Sequence, residues 1–152
     1  MTIETPDQLL VRVAAILNEH RIPYLVTGGF AVSVWGRPRA TFDIDVVIQI
    51  SESAVKQLNQ ALKRIGESIY VDEEIAEQAV RLGRGSFNLI DPSTGVKVDF
   101  FVVGGGDAFT QSQFKRRQIK MFEGQGISFL SPEDLILSKL RWHKESGSAL
   151  QL

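Results

Sequence analysis

The 152-residue chain contains no cysteine, which excludes disulfides, thiol nucleophiles and Cys-ligated metal. That absence leaves the compartment open. Neither sign of charge is in excess: 17 Lys and Arg stand against 18 Asp and Glu. No net field therefore draws the whole molecule toward nucleic acid or an anionic membrane, although a local basic patch is compatible with this balance. No apolar run approaches the roughly 18 residues of a spanning helix. The opening MTIETPDQLL has neither the basic nor the apolar region of a signal peptide. The expectation is a soluble, cytoplasmic protein with no membrane partner. Histidine is scarce, with His20 reading as a helix-end dipole partner and His143 as a surface residue. No repeat, low-complexity tract or linker interrupts the chain. Its 43% apolar and 23% charged residues are ordinary for one domain, 1–152, with a sizeable core.

The pattern of elements is that of an α/β (α+β) protein. Pro6 opens an amphipathic helix carrying Leu9, Leu10, Val13, Ile16 and Leu17, with Thr5 as its expected N-cap. Arg21-Ile22-Pro23 ends it, since a residue before proline is pushed out of helical geometry. Tyr24 to Thr27 reads as a short buried strand stopped by Gly28-Gly29, and Phe30 to Trp35 as a helix. Thr41 to Ile50 is the strongest strand signal in the chain. Ser51 caps a helix to about Ile65. Ser68 to Asp72 suggests a short strand, and Glu73 to Leu82 a helical turn or two. Ser86–Asp91 and Val96–Val103 form a hairpin across Pro92-Ser93-Thr94-Gly95. Gly104-Gly105-Gly106 reads as a break. Phe114–Phe122 and Ile127–Leu130 are expected as a second hairpin around Glu123-Gly124-Gln125-Gly126. Ser131-Pro132-Glu133-Asp134 starts a C-terminal helix from about residue 131.

The chemistry concentrates in the strand TFDIDVVIQI. Side chains alternate along a strand, so Phe42, Ile44, Val46 and Ile48 share one face while Asp43, Asp45, Val47 and Gln49 share the other. The Cα atoms of Asp43 and Asp45 stand roughly 7 Å apart on that geometry. Two acids side by side repel, and a shared cation relieves them. Aspartate is disfavoured in strands, yet Asp99 also lies inside a strand-like run, VKVDFFV. Three carboxylates on two strands suit Mg²⁺, which takes oxygen ligands from a few carboxylates and from substrate phosphates. Two such ions about 3.5–4 Å apart can neutralise an α-phosphate and a leaving pyrophosphate.

Gly28-Gly29, thirteen intervening residues, the pair Asp43-Ile44-Asp45-Val46 and the later Asp99 together resemble the DNA polymerase beta-like nucleotidyltransferase superfamily. The wording GGFAVSVWGRPRATFDIDVVI is most similar to its small bacterial branch, which holds minimal nucleotidyltransferases, AbiEii-type proteins and lincosamide nucleotidyltransferases. The resemblance covers about Tyr24 to Val103. It implies a nucleotidyltransferase fold, a mixed central sheet flanked by helices, with Mg²⁺ (or Mn²⁺) and an NTP donor such as ATP. The NMP would pass to a hydroxyl of a protein, a tRNA or a small molecule. In this reading Asp43, Asp45 and Asp99 are the catalytic and metal-binding acids. Many members carry Ser after the first Gly; here Gly29 takes that place, leaving backbone N–H groups to hold phosphate. Arg39 and Thr41 fit the branch's R-x-T-x-D-x-D wording as nucleotide contacts, and Lys139 on the last helix is the candidate phosphate lysine. Lys115-Arg116-Arg117 with Lys120 is the one basic cluster; it reads as a solvated strand end, with contact to RNA or the triphosphate tail as the alternative. The resemblance also implies a toxin or antitoxin role with a cognate partner, or a homo-oligomer. An antibiotic nucleotidyltransferase and a catalytically silent binding module are the alternatives.

Overall fold

The structure is a computed structural model that describes residues 6–28, 30–31 and 43–146. Five helices and seven strands follow in order: α1 (Pro6–Glu19), β1 (Tyr24–Thr27), β2 (Asp43–Ile48), α2 (Glu52–Lys63), β3 (Tyr70–Val71), α3 (Glu73–Leu82), β4 (Ser86–Asp91), β5 (Val96–Val102), α4 (Ala108–Lys115), β6 (Gln118–Phe122), β7 (Gln125–Phe129) and α5 (Pro132–Ser146). Phe30 and Ala31, after the first glycine turn, are helical as well. The strands form one mixed sheet in the order β3-β4-β5-β2-β1-β7-β6. β2 runs parallel to β5 and antiparallel to β1, and β1 runs parallel to β7.

One face of the sheet carries the core. On β2 the residues Ile44, Val46 and Ile48 are buried, and on β5 so are Val96, Val98, Phe100 and Val102. Leu9, Leu10, Val13, Ala14 and Leu17 of α1 join them, with Leu58 and Leu62 of α2 and Ala76 and Val80 of α3. These three helices lie side by side, α1 against β2 and β7, α3 against β4. The period-two alternation read in the sequence is thus the division between a packed face and an open one. Phe87 stacks on Phe100 across β4 and β5, 5.0 Å between ring centroids.

Several elements differ from the sequence reading. Glu73–Leu82 is a full helix, because Asp72 accepts the Ile75 N–H at its start and Gly83 closes it with φ 69°. Ser51 sits at the N-cap of α2 without a side-chain cap bond; its hydroxyl meets that of Ser53 instead. Phe114 belongs to helix α4, not to a strand. Asp107 caps that helix by accepting from the Phe109 N–H and the Thr110 hydroxyl. An Asp-X-X-Thr start directly after three glycines is the sequence signal for it. The second hairpin turns on Glu123-Gly124 alone, both at positive φ (51° and 81°), which is the two-residue turn matching strand twist. Ser131, Pro132 and the first-turn acids open α5 as expected, and the Asp134 N–H bonds back to Ser131 Oγ. The Thr5 cap lies outside the described residues.

At the junction of α1 and β1 the chain takes an uncommon backbone conformation. Arg21, just past α1, adopts the left-handed region at φ 57° while the Ile22 N–H closes onto the Leu17 carbonyl. A side chain at such a position costs on the order of 1 kcal/mol relative to glycine. Tyr24 extends the β1–β7 seam, its hydroxyl accepting from the Ser128 N–H at 3.1 Å.

Candidate active site

The parallel register of β2 on β5 places Asp45 directly beside Asp99 and Asp43 beside Lys97. Directly paired residues project from the same face, so the three acids share the open face of the sheet as the alternation predicts. Asp43 is exposed, while Asp45 and Asp99 are half-buried. Lys97 Nζ stands 3.6 Å from Asp99 Oδ2. The Asp45 carboxyl is pushed above the usual carboxylate range, first by burial and then by the charges of Asp99 and Asp43, with Lys97 opposing them. Asp45 therefore feels both of the other acids. Among the described residues the three do not close into a three-ligand metal cage; they form an open set along one sheet face.

Across the other edge of β2, Thr27 pairs with Asp45, which brings the glycine turn to the acids. Gly28 has φ 70°, a conformation open mainly to glycine, and its α-carbon faces Asp45. A methyl group there would overlap Asp45 Oδ2 and stand 2.9 Å from Asp45 Cγ. Glycine is required twice over, by backbone angle and by space. Gly29, Arg39 and Thr41 lie outside the described residues.

Lys139 is exposed on α5 and makes no ion pair among the described residues. The basic cluster is resolved differently from its expectation as a strand end. Arg116 ends α4 and forks onto Asp134, Nε to Oδ2 at 3.0 Å and Nη2 to Oδ1 at 2.6 Å, the Asp134 side chain being fully buried. That arginine docks α4 on the N-terminus of α5. Lys97, two residues before Asp99 on the same strand face, stands beside it. The sequence reading missed Asn88, half-buried and paired directly with Asp99 across the β4–β5 hairpin. Counting back from the Asp91–Val96 pair at the turn would have found it.

The mixed sheet thus carries two acids on one strand, a third in register on the next, and a glycine turn pressed against them. The chain belongs to the family described as "Nucleotidyl transferase AbiEii toxin, Type IV TA system", whose model matches residues 8–145. No curated protein matches the chain. Among solved structures it is similar to a Thermotoga maritima protein assigned as a nucleotidyltransferase, at 17% identity over 95% of this chain and 90% of that one, TM-score 0.60. The lincomycin-bound lincosamide antibiotic adenylyltransferase LnuA is similar at 16% identity over 89% and 86%, TM-score 0.60. An antigenic nucleotidyltransferase-like protein from Paracoccidioides brasiliensis is similar at 23% identity over 97% and 72%, TM-score 0.56. Identities this low speak to the fold alone. Among the described residues no helix is long and apolar enough to cross a membrane.

Proposed function

We propose that this nucleotidyltransferase domain is a divalent-metal-dependent enzyme that moves a nucleoside monophosphate from an NTP to a hydroxyl acceptor. The observation that carries the reading is the β2–β5 register, which sets Asp45 beside Asp99 with Asp43 on the same open face. The donor set fits Mg²⁺ or Mn²⁺, being all carboxylate oxygen. It is also open, as expected of an ion that takes one or two carboxylates and completes its shell with substrate phosphates and water. Asp43 and Asp45 would hold two metal ions between them, with Asp99 joining at the catalytic one. When bound, the metal supplies charge neutralisation at the α-phosphate and the leaving pyrophosphate and lowers the pKa of the attacking hydroxyl.

The chain's own groups do the rest. The backbone N–H groups of Gly28 and Gly29 hold the β- and γ-phosphates at the start of a helix, where donors point outward and the dipole favours anions. Arg39, Thr41 and Lys139 contribute further phosphate contacts. Asp99 accepts the proton of the acceptor hydroxyl as that oxygen bonds to the α-phosphorus and the bond to the β-phosphate oxygen breaks, releasing pyrophosphate. Lys97, its Nζ 3.6 Å from Asp99 Oδ2, holds Asp99 in orientation. The acceptor belongs to a protein, a tRNA or a small molecule. The family's description supports a toxin-type role with a cognate partner; the enzyme acts in the cytoplasm as one domain.

The test is Asp45→Asn, assayed with [α-³²P]NTP against protein, tRNA and drug acceptors. Transfer should fall by at least ~100-fold, several kcal/mol of barrier, with the circular dichroism spectrum unchanged. A variant that transfers label at the wild-type rate overturns the assignment.

A further inference from the structure

A second concave site lies at the other end of β2. Gln49 follows that strand four residues after Asp45 and on the same face, roughly 13 Å away at strand spacing. A cleft of about 420 Å³ opens there between the end of α1, the start of β1 and helix α4. Its size is that of small-molecule pockets in general, several times the volume of an ordered water cluster. Its lining includes two arginines, Arg21 and Arg117, and three side-chain amides, Asn18, Gln49 and Gln111, with no carboxylate among them. In a chain of net charge −1 this is an uneven distribution.

Both guanidiniums are exposed, and neither has a carboxylate partner among the described residues. Arg117 uses one donor on the Phe114 carbonyl, 2.7 Å from Nη1, which leaves the rest of its fork unspent. Its neighbour Arg116 is fully engaged with Asp134, so adjacent arginines have separate tasks. Gln111 donates to Gln49 across the cleft at 2.8 Å, fixing the amides that would orient a ligand. Arg21 is the more telling of the pair, because it holds a left-handed backbone position that glycine fills without strain. A strained residue at a cleft points to a task for its side chain.

We propose that this cleft is a second binding site, distinct from the acid face, for a small organic molecule bearing an oxyanion. Arg21 and Arg117 grip the anionic group, and the amides of Gln49 and Gln111 contact its polar remainder, while Asn18 is held in the wall by its bond to the Gly126 carbonyl. Paired guanidiniums match the fork geometry of carboxylate and phosphate alike.

The experiment is a ¹⁵N-edited NMR titration of the metal-free protein with glycerol 3-phosphate in one arm and succinate in the other. The expected result is saturable shifts centred on residues 18–24, 49 and 111–117, with the stronger arm naming the anion. Arg117→Gln should weaken that binding about tenfold. Arg21→Gly should weaken it similarly yet melt at the same temperature as the wild type or higher, since it relieves the backbone; a purely structural Arg21 would not separate the two readouts. Shifts confined to Gly28 and the acids, absent saturation in both arms, or wild-type affinity in both variants would overturn the proposal.

Discussion

Asp91 and Asp45 are both strand aspartates, and comparing them separates a carboxylate surrounded by donors from one set among other acids. Asp91 ends β4 on the packed side and is 2% exposed. It accepts from the Ser93 N–H and hydroxyl, the Thr94 hydroxyl and the Ser68 hydroxyl. Burial alone would raise its pKa, but those bonds outweigh it and hold the carboxyl below the usual range. Asp45 is less buried, and its pKa moves the opposite way because burial and two more acids act on it together. Buried charge is tolerated where donors surround it; where like charges surround it, the charged form is disfavoured.

The sharpest functional test of that contrast is the loss of transfer in Asp45→Asn. Next in size, Asp91→Ala should cost about 2–4 kcal/mol by urea denaturation, since it strands several donors at the hairpin, and it should leave metal binding intact. Gly28→Ala should cost about 1–2 kcal/mol for the left-handed backbone and displace the Asp45 carboxylate as well. It would therefore lower Mn²⁺ affinity by calorimetry, which a distant glycine substitution would not do.

The pH dependences should run in opposite senses. The lowered pKa of Asp91 contributes stability above the ordinary carboxylate value, and that stability is lost as pH falls through the folded value. The raised pKa of Asp45 means the folded state holds that proton more tightly than the unfolded chain. Its contribution is greatest below the ordinary value and declines as pH rises through the folded one. Metal-free Asp45→Asn should accordingly melt above the wild type at neutral pH, with the gap closing in acid; an equal gap at all pH values would break the contrast. The smallest effect is expected of Lys97→Met. Its partly exposed pair with Asp99 should contribute no more than ~0.5 kcal/mol in thermal melts.

The acid face was legible in part because strand alternation is a local rule: it set Asp43 and Asp45 on one face, opposite Ile44, Val46 and Ile48, before any pairing was known. Which acids become neighbours is a matter of register between strands fifty residues apart, and no local pattern supplies it. Helix α4 escaped for a related reason. Its buried residues are Thr110, Gln113 and Phe114, a face too polar to show apolar periodicity, and its Asp107 cap was overshadowed by the glycines before it. Arg116 looked solvated because its partner, Asp134, belongs to another helix and is buried only once α5 docks. The family resemblance rested on the glycine turn and the acids, and those are the parts that converge in space.

The closeness of Gly28 to Asp45 has a consequence for how this site can vary. The two positions occupy one steric volume, so substitutions at 28 and 45 are not independent choices. In a library randomised at both, a side chain at 28 would be admitted either with the Asp45 carboxylate displaced or with a shorter residue at 45. The fold couples the glycine turn to the acid strand, even though sixteen residues separate them along the chain.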